Sequence, residues 1–309
     1  MGSASSLPET QSYEVGPAAT GEGAVRRREA STLAPRVTQL PTVCKYGAEI
    51  DTLYKLFANA AKGNPDGPCM GTRMPQANGK LGPFEYISFK TAHERILAVG
   101  SGIAKLGLPL QATFGLYGKN TKEWQICALG GFSQGLICVP VYDTLGDDIV
   151  KYEANHSEMA MMFVEASKLS DVAKVIKECK TLKHIVQIED GVDEAMRTTF
   201  ADADVTLRDY KTLMEEGTAA PVQPKPASGD GLAFVMYTSG TTGDPKGVCI
   251  GNLSIVVAAS DCAGIALTNT DRYLSYLPLA HIFETMVEHA IWSVGRLVGF
   301  LFSTRSSHS

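Results

Sequence analysis

The densest run of chemistry-bearing side chains lies at residues 237–247, which read YTSGTTGDPKG. Gly240 and Gly243 let successive backbone N–H groups turn toward one centre, while Thr238, Ser239, Thr241 and Thr242 supply four hydroxyls. Lys246 adds a mobile positive charge. Such a set suits a phosphate group; an ordinary polar turn has no need of so many glycine and hydroxyl positions in succession. Asp244 and Pro245 bend the chain, and a helix beginning after them would aim its N-terminus at the same anion. The register excludes a Walker A loop, because Lys246 follows proline and precedes glycine where G-x-x-x-x-G-K-[ST] is required. A dinucleotide-type G-x-G-x-x-G is also missing from the strand–loop–helix positions.

A second constellation occupies 281–295, HIFETMVEHAIWSVG. His281, Glu284, Glu288 and His289 could share one helical face and hold a metal. Against this, Ile282, Phe283, Met286, Val287, Ala290, Ile291 and Val294 form an apolar stripe, which predicts a core-facing helix, and the HExxH register is absent. His93 and His184 stand beside a helix start and a strand start, where packing or capping is the expected role. No Ser–His–Asp triad can be assembled. The seven cysteines (44, 69, 127, 138, 179, 249 and 262) include no CxxC pair, which argues for reduced, mostly buried thiols and against structural zinc.

The elements that must position the loop follow from periodicity. FEYISF (84–89), TFGLYG (113–118), LICVPV (136–141), MAMMFV (159–164), HIVQI (184–188) and LAFVMY (232–237) read as strands. Helical patterns fall between them: TAHERILAVGSGIAKLG with Thr91 and Glu94 as a capping box, a helix near Trp124 capped by Asn120, GDDIVKYEANH, and SKLSDVAKVIKECK. A further helix after the loop, a strand at RYLSYL, a helix from His281 and a strand at RLVGFLF complete the pattern. Strand–helix alternation predicts an α/β fold, with mostly parallel sheets and helices on both faces. Ligands of such sheets sit beyond the C-terminal strand ends, where the 237–247 loop is placed. Residues 1–40 are polar and small and predict a disordered tail, 41–300 have globular composition, and 301–309 form a serine-rich tail.

The run from Thr238 to Gly247 matches, without a break, the pattern [ST]-[SG]-G-[ST]-[ST]-G-x-P-K-G, and so resembles the signature loop of the adenylate-forming superfamily. VPVYDTLGDD (139–148), LSYLPLAHIFE (274–284), GPCMGTR (67–73) and YGKNTKEW (117–124) resemble its long-chain fatty acyl-CoA synthetase branch, over about residues 45–300. The resemblance implies that the loop cradles the β- and γ-phosphates of ATP while a fatty carboxylate attacks the α-phosphate, coenzyme A then taking the acyl group. It also implies that Thr238 helps ligate Mg2+, and that His281 and Phe283 lie near the acyl pocket and thiol route. KGVCIGNLS departs from the family's KGxxxTHxN, with Gly251 and Asn252 in place of Thr or Ser and His. The family's adenine loop, second magnesium ligand, ribose aspartate, hinge and C-terminal domain with its adenylation lysine are not found in these 309 residues. The expectation is therefore the N-terminal, partial AMP-binding domain of a long-chain fatty acid–CoA ligase, inactive by itself. The competing expectation is a non-catalytic relative that binds nucleotide or lipid, or another ligase chain.

A net charge of -5 without a basic stripe disfavours a nucleic-acid partner. No run of about 20 apolar residues predicts a membrane span. MGSASS fits M-G-x-x-x-[ST] and makes Gly2 a possible myristoylation site, with Arg26, Arg27 and Arg28 as a weak second membrane signal. The expected location is the cytoplasm or the cytoplasmic face of a membrane such as the endoplasmic reticulum.

Overall fold

The computed structural model describes residues 42–76, 80–142, 148–238, 244–262 and 271–300, together with two short strands nearer the N-terminus. Those two, β1 (Ser12–Gly16) and β2 (Val25–Arg28), pair antiparallel with Tyr13 opposite Arg27. They belong to a separate unit, Met1–Thr42.

In the larger unit, a seven-stranded sheet has the order β11-β10-β6-β5-β7-β8-β9. Its strands are β5 (Thr113–Tyr117), β6 (Ile137–Pro140), β7 (Met161–Val164), β8 (His184–Gln187), β9 (Thr206–Asp209), β10 (Leu232–Thr238) and β11 (Lys246–Gly251). All neighbours are parallel except the β10–β11 hairpin. A four-stranded sheet, β12-β13-β3-β4, is built from β3 (Pro68–Pro75), β4 (Leu81–Ser88), β12 (Arg272–Ser275) and β13 (Leu297–Phe300), with only the β3–β4 pair antiparallel.

The central strands are apolar on both sides, because helices cover both faces. Along β7, Met161 and Phe163 enter one core and Met162 and Val164 the other. The first core also holds residues of α1 (Leu53–Gly63), α2 (Phe89–Ala104), α3 (Lys122–Ser133), α8 (Asn252–Cys262) and α9 (Ile282–Ser293). The second holds residues of α4 (Ile149–His156), α5 (Leu169–Val175) and α6 (Glu194–Ala201). Helix α7 (Tyr210–Ala219) crosses α2 closely at Gly217, where an added Cβ would run into the Ala98 carbonyl oxygen. The mostly parallel α/β architecture expected from the strand–helix alternation is present.

Several local expectations are corrected. Helix α2 starts at Phe89 and is capped by Ser88, whose Oγ accepts from the Thr91 N–H at 3.1 Å, so Thr91 is not the cap. Helix α3 is capped by Thr121, which accepts from the Trp124 N–H at 3.0 Å, and Asn120 is free for a different task described below. Asp148 stands at the cap position of α4 but its side chain makes no capping bond; Asp143 to Asp147 lie outside the described residues.

The chain beyond Pro245 does not enter a helix. It returns as β11, antiparallel to β10, and α8 begins only at Asn252. Asn252 fixes that start: its amide nitrogen donates to the carbonyls of Gly231 and Leu232, both at 3.1 Å, and its backbone N–H to Gly231 at 2.9 Å. The departure at Gly251-Asn252 thus has a structural use, tying the helix to the start of β10.

Candidate functional site

Strand order places the site. Strand β5 lies between β6 and β7, so the chain moves to one side of β5 through α3 and to the other side through α4. At such a reversal the flanking connections diverge to opposite faces and leave a crevice at the C-terminal strand ends. A cavity of about 350 Å³ occurs there, lined by Tyr117 and Gly118 after β5, Val141 and Tyr142 after β6, and Tyr276, Pro278 and Ala280 after β12.

Asn120 holds the β12 side of this cavity in place. Its Nδ2 donates to Ser275 Oγ at 2.8 Å and to the Leu277 carbonyl at 2.6 Å, and its Oδ1 accepts from the Leu279 N–H at 2.9 Å. Thr285 Oγ1 donates to the Leu279 carbonyl at 3.1 Å from below. Three bonds from one side chain make residues 275–279 a rigid wall. Pattern reading missed this role, since Asn and Thr at neighbouring positions are equally good caps and only the tertiary partners decide.

Strand β10 ends on the same rim, two strands from β5, or roughly 10 Å at ordinary strand spacing. Thr238 and Lys246 are cross-strand partners at the loop end of the β10–β11 hairpin, and both are exposed. The structure therefore brings these two candidate residues together facing solvent at the rim. Ser239, Gly240, Thr241, Thr242 and Gly243 lie outside the described residues, as does Gly2.

His281 is the N-cap of α9, its Nδ1 accepting from the Phe283 N–H at 3.3 Å. It follows Ala280 of the cavity wall, but neither His281 nor Phe283 lines the cavity, and Phe283 is 50% exposed.

Helix α9 is core-facing, as its apolar stripe suggests, with Ala290 and Ile291 buried in the first core, but its most deeply buried face is polar. Glu284, Thr285 and Glu288 are 0% exposed, whereas Met286 and Val287 are only half-buried. The reason is partners on neighbouring elements. Tyr273 Oη donates to Glu284 Oε2 at 2.8 Å, Gln125 Nε2 to Glu288 Oε2 at 2.6 Å, and His289 Nδ1 to the Thr285 carbonyl at 2.8 Å. Ser275 also donates to both glutamates, so Glu284 and Glu288 are held by a shared set of donors from β12 and α3. Among the described residues no cluster of three His, Cys, Asp or Glu is placed to hold a metal. Cys44, Cys69, Cys127, Cys138 and Cys179 are buried and Cys249 is exposed, all as free thiols.

Burial pushes the Glu288 carboxyl up to about 8, while hydrogen bonds from Ser275 and Gln125 oppose the rise. Burial pushes His289 down to about 4, so at neutral pH it is uncharged. Their effects on stability have opposite signs. The Glu288 contribution is complete below its ordinary value of 4.5 and is lost as pH rises to about 8. The His289 contribution is complete above 6.5 and is lost as pH falls to about 4. Between pH 6.5 and 8 only the glutamate of this pair titrates, for a loss of at most about 2 kcal/mol. Glu288→Gln is expected to flatten the decline of the urea midpoint over that interval; an unchanged slope would refute the assignment.

Comparison with known proteins bears on the family and the fold. A profile described as AMP-binding enzyme matches residues 57–307. Fatty acyl-CoA synthetase B of Dictyostelium discoideum is 36% identical over 256 residues, covering 81% of this chain and 38% of that protein. Long-chain-fatty-acid–CoA ligase 1 of Homo sapiens is 31% identical over 264 residues, covering 82% of this chain and 37% of its own length. The chain thus spans about two fifths of the length of the curated relatives it matches. Among solved structures, the A domain of carboxylic acid reductase from Segniliparus rugosus, in complex with AMP and a co-purified carboxylic acid, superposes with a TM-score of 0.70 at 20% identity. That match covers 83% of this chain and 45% of the other. A long-chain-fatty-acid-CoA ligase from Archaeoglobus fulgidus gives a TM-score of 0.68 at 17% identity, over 86% and 48% of the two chains.

Proposed function

The chain belongs to the AMP-binding enzyme family, and on that premise we propose that it carries the phosphate-binding part of an ATP-dependent long-chain fatty acid–CoA ligase. The observation that carries the reading is the unbroken signature from Thr238 to Gly247, whose described ends, Thr238 and Lys246, are paired at the C-terminal end of β10 in the sheet whose strand order reverses at β5.

In the reaction, a fatty carboxylate oxygen attacks the α-phosphorus of ATP and pyrophosphate leaves. The thiol of coenzyme A then attacks the acyl-adenylate carbonyl, releasing AMP and acyl-CoA. The residues of this chain act on the leaving group. Hydroxyls and N–H groups of Ser239, Gly240, Thr241, Thr242 and Gly243, with the Lys246 ammonium, would hold the β- and γ-phosphates and stabilise the charge that accumulates as pyrophosphate departs. The exposed Thr238 hydroxyl, opposite Lys246, is an oxygen donor of the kind a magnesium ion takes, and would help hold one. That ion, when bound, supplies charge neutralisation on the phosphates. The cavity walled by Tyr117, Val141 and Pro278 would shelter the reacting carboxyl. His281 and Phe283 would border the acyl chain and the incoming thiol.

With a match to about two fifths of the relatives' length, this 309-residue polypeptide is expected to bind Mg·ATP yet release no AMP when given palmitate and coenzyme A. Fatty-acid-dependent AMP and acyl-CoA formation by the purified chain would overturn the second half of that expectation. A second reading is a non-catalytic relative that binds nucleotide or lipid or joins another ligase chain. The two separate on whether the encoding sequence continues into the remaining motifs. No helix among the described residues is long and apolar enough to cross a membrane. Association with a cytoplasmic membrane face would then rest on the fatty substrate and on acylation of Gly2, and intact mass of the native N-terminus tests the latter.

A further inference from the structure

The two stems of the 238–246 hairpin loop are held by one face of a single short helix. Tyr152 and His156 stand one turn apart on α4, at i and i+4, and their rings stack at 5.4 Å with an interplanar angle of 11°. Tyr237, the last residue of β10 before Thr238, sets its ring edge against both, at 6.0 Å from Tyr152 and 5.7 Å from His156. Its hydroxyl is hydrogen-bonded to His156 Nδ1 at 2.7 Å, which ties down the incoming stem. Tyr152 Oη donates to the Pro245 carbonyl at 2.9 Å, which ties down the outgoing stem.

The second bond lies where the β-ladder has stopped. Pairing of β10 with β11 ends at Thr238 opposite Lys246, so the Pro245 carbonyl has passed the last ladder position, and the tyrosine extends the pairing by one bond. Gly247, opposite Tyr237, leaves the space this packing uses. A Cβ there would come within 2.8 Å of Val235 Cγ1 and 3.4 Å of the Tyr237 ring.

We infer that Tyr152 and His156 are positioning residues for phosphate binding: together with Tyr237 they form an aromatic bracket that fixes both stems of the signature loop from the opposite side of the hairpin. Neither residue belongs to the signature, and their polar atoms are engaged by Pro245 and Tyr237. Fixing both stems holds the two ends of the loop in one arrangement before ligand arrives, which lowers the ordering cost of binding, so ligand affinity depends on the bracket. The inference rests on the proposal that this loop binds the β- and γ-phosphates of ATP.

Two readouts on the full 309-residue chain test it. Tyr152→Phe deletes only the hydroxyl and keeps the ring stack; His156→Ala deletes the Tyr237 bond; His156→Asn puts an amide where Nδ1 was. In ligand-free protein, Tyr152→Phe and His156→Ala are expected to raise amide hydrogen exchange in a peptide covering 236–247 and to leave strands 161–164 and 184–187 unchanged. Affinity for Mg·ATP and for Mg·pyrophosphate is expected to fall together by roughly three- to tenfold per variant, the worth of one hydrogen bond, and His156→Asn is expected to restore it. Unchanged exchange at 236–247, exchange rising throughout the sheet, or weakened affinity that asparagine does not restore would each overturn the bracket. If the wild-type chain takes up neither probe, the phosphate assignment fails and the phosphate-positioning role with it, while the exchange data still decide whether the stems are held. The two failures are therefore distinguishable.

Discussion

Replacing Trp292 with alanine is expected to lower the stability of the folded chain by about 3–5 kcal/mol, the largest effect of any single substitution considered. Trp292 is 1% exposed on α9 and joins three elements. Its ring meets Phe57 of α1 edge-on at 5.5 Å and 86°, and His289 at 5.3 Å. Its Nε1 donates to the Cys69 carbonyl of β3 at 3.3 Å. Truncation removes a large buried surface, opens a cavity between helix pair and sheet, and strands a buried carbonyl. For a unit of this size the loss corresponds to a fall in melting temperature of about 6–20 °C, read by calorimetry or circular dichroism. Trp292→Phe keeps the aromatic contact but not the donor and should lose a smaller share. A fall of less than 1 kcal/mol for the alanine variant would mean that α9 is not docked on α1 and β3 as described.

The second large effect concerns ligand rather than fold. Lys246→Ala is expected to weaken Mg·ATP binding by about 10- to 100-fold, because a charge-assisted contact to phosphate contributes about 1.5–3 kcal/mol. Lys246 is exposed at the first position of β11, and the described structure gives it no packing role. Its removal should therefore leave the melting temperature nearly unchanged, since surface substitutions of this kind stay within about 0.5 kcal/mol. The combination of intact stability and lost affinity is the signature of a binding residue. Lys246→Arg keeps the charge and should recover part of the affinity. If the alanine variant binds ATP as tightly as the parent chain, Lys246 has no part in holding phosphate.

How much of this was legible in the sequence varied with how local each determinant is. The central strands were readable because burial on both faces leaves unbroken apolar runs, as at Met161–Val164. The helices between them were readable from their amphipathic spacing. Strand β11 was not, because KGVCIG carries two glycines and little alternation, and what makes it a strand is its pairing with β10. Strand β9 and helices α6 and α7, for which no pattern was assigned, are short and sit at the sheet edge, where half-burial weakens periodicity. Ser88 in place of Thr91, and Thr121 in place of Asn120, are shifts among residues with similar capping capacity.

The burial of Glu284, Glu288 and His289 could not have been foreseen from α9 alone. Hydrophobic spacing turned Phe283 inward where it is exposed, and gave no sign that Gln125 and Tyr273, distant in sequence, supply the bonds that let the polar residues be buried beside Ala290 and Ile291. The loop itself was the reverse case: its chemistry was written in ten consecutive residues, and the fold added its place on the rim and the opposition of Thr238 and Lys246. The aromatic bracket joins residues 81 and 93 positions apart, beyond the reach of any local pattern.

The central claim is that the 238–246 loop holds the terminal phosphates of ATP. Its most direct test is calorimetric titration of the 309-residue chain with Mg·ATP, repeated in the presence of excess Mg·pyrophosphate. Saturable ATP binding that pyrophosphate abolishes is the expected result. ATP binding that persists undiminished under saturating pyrophosphate, or no binding of either, would contradict the claim.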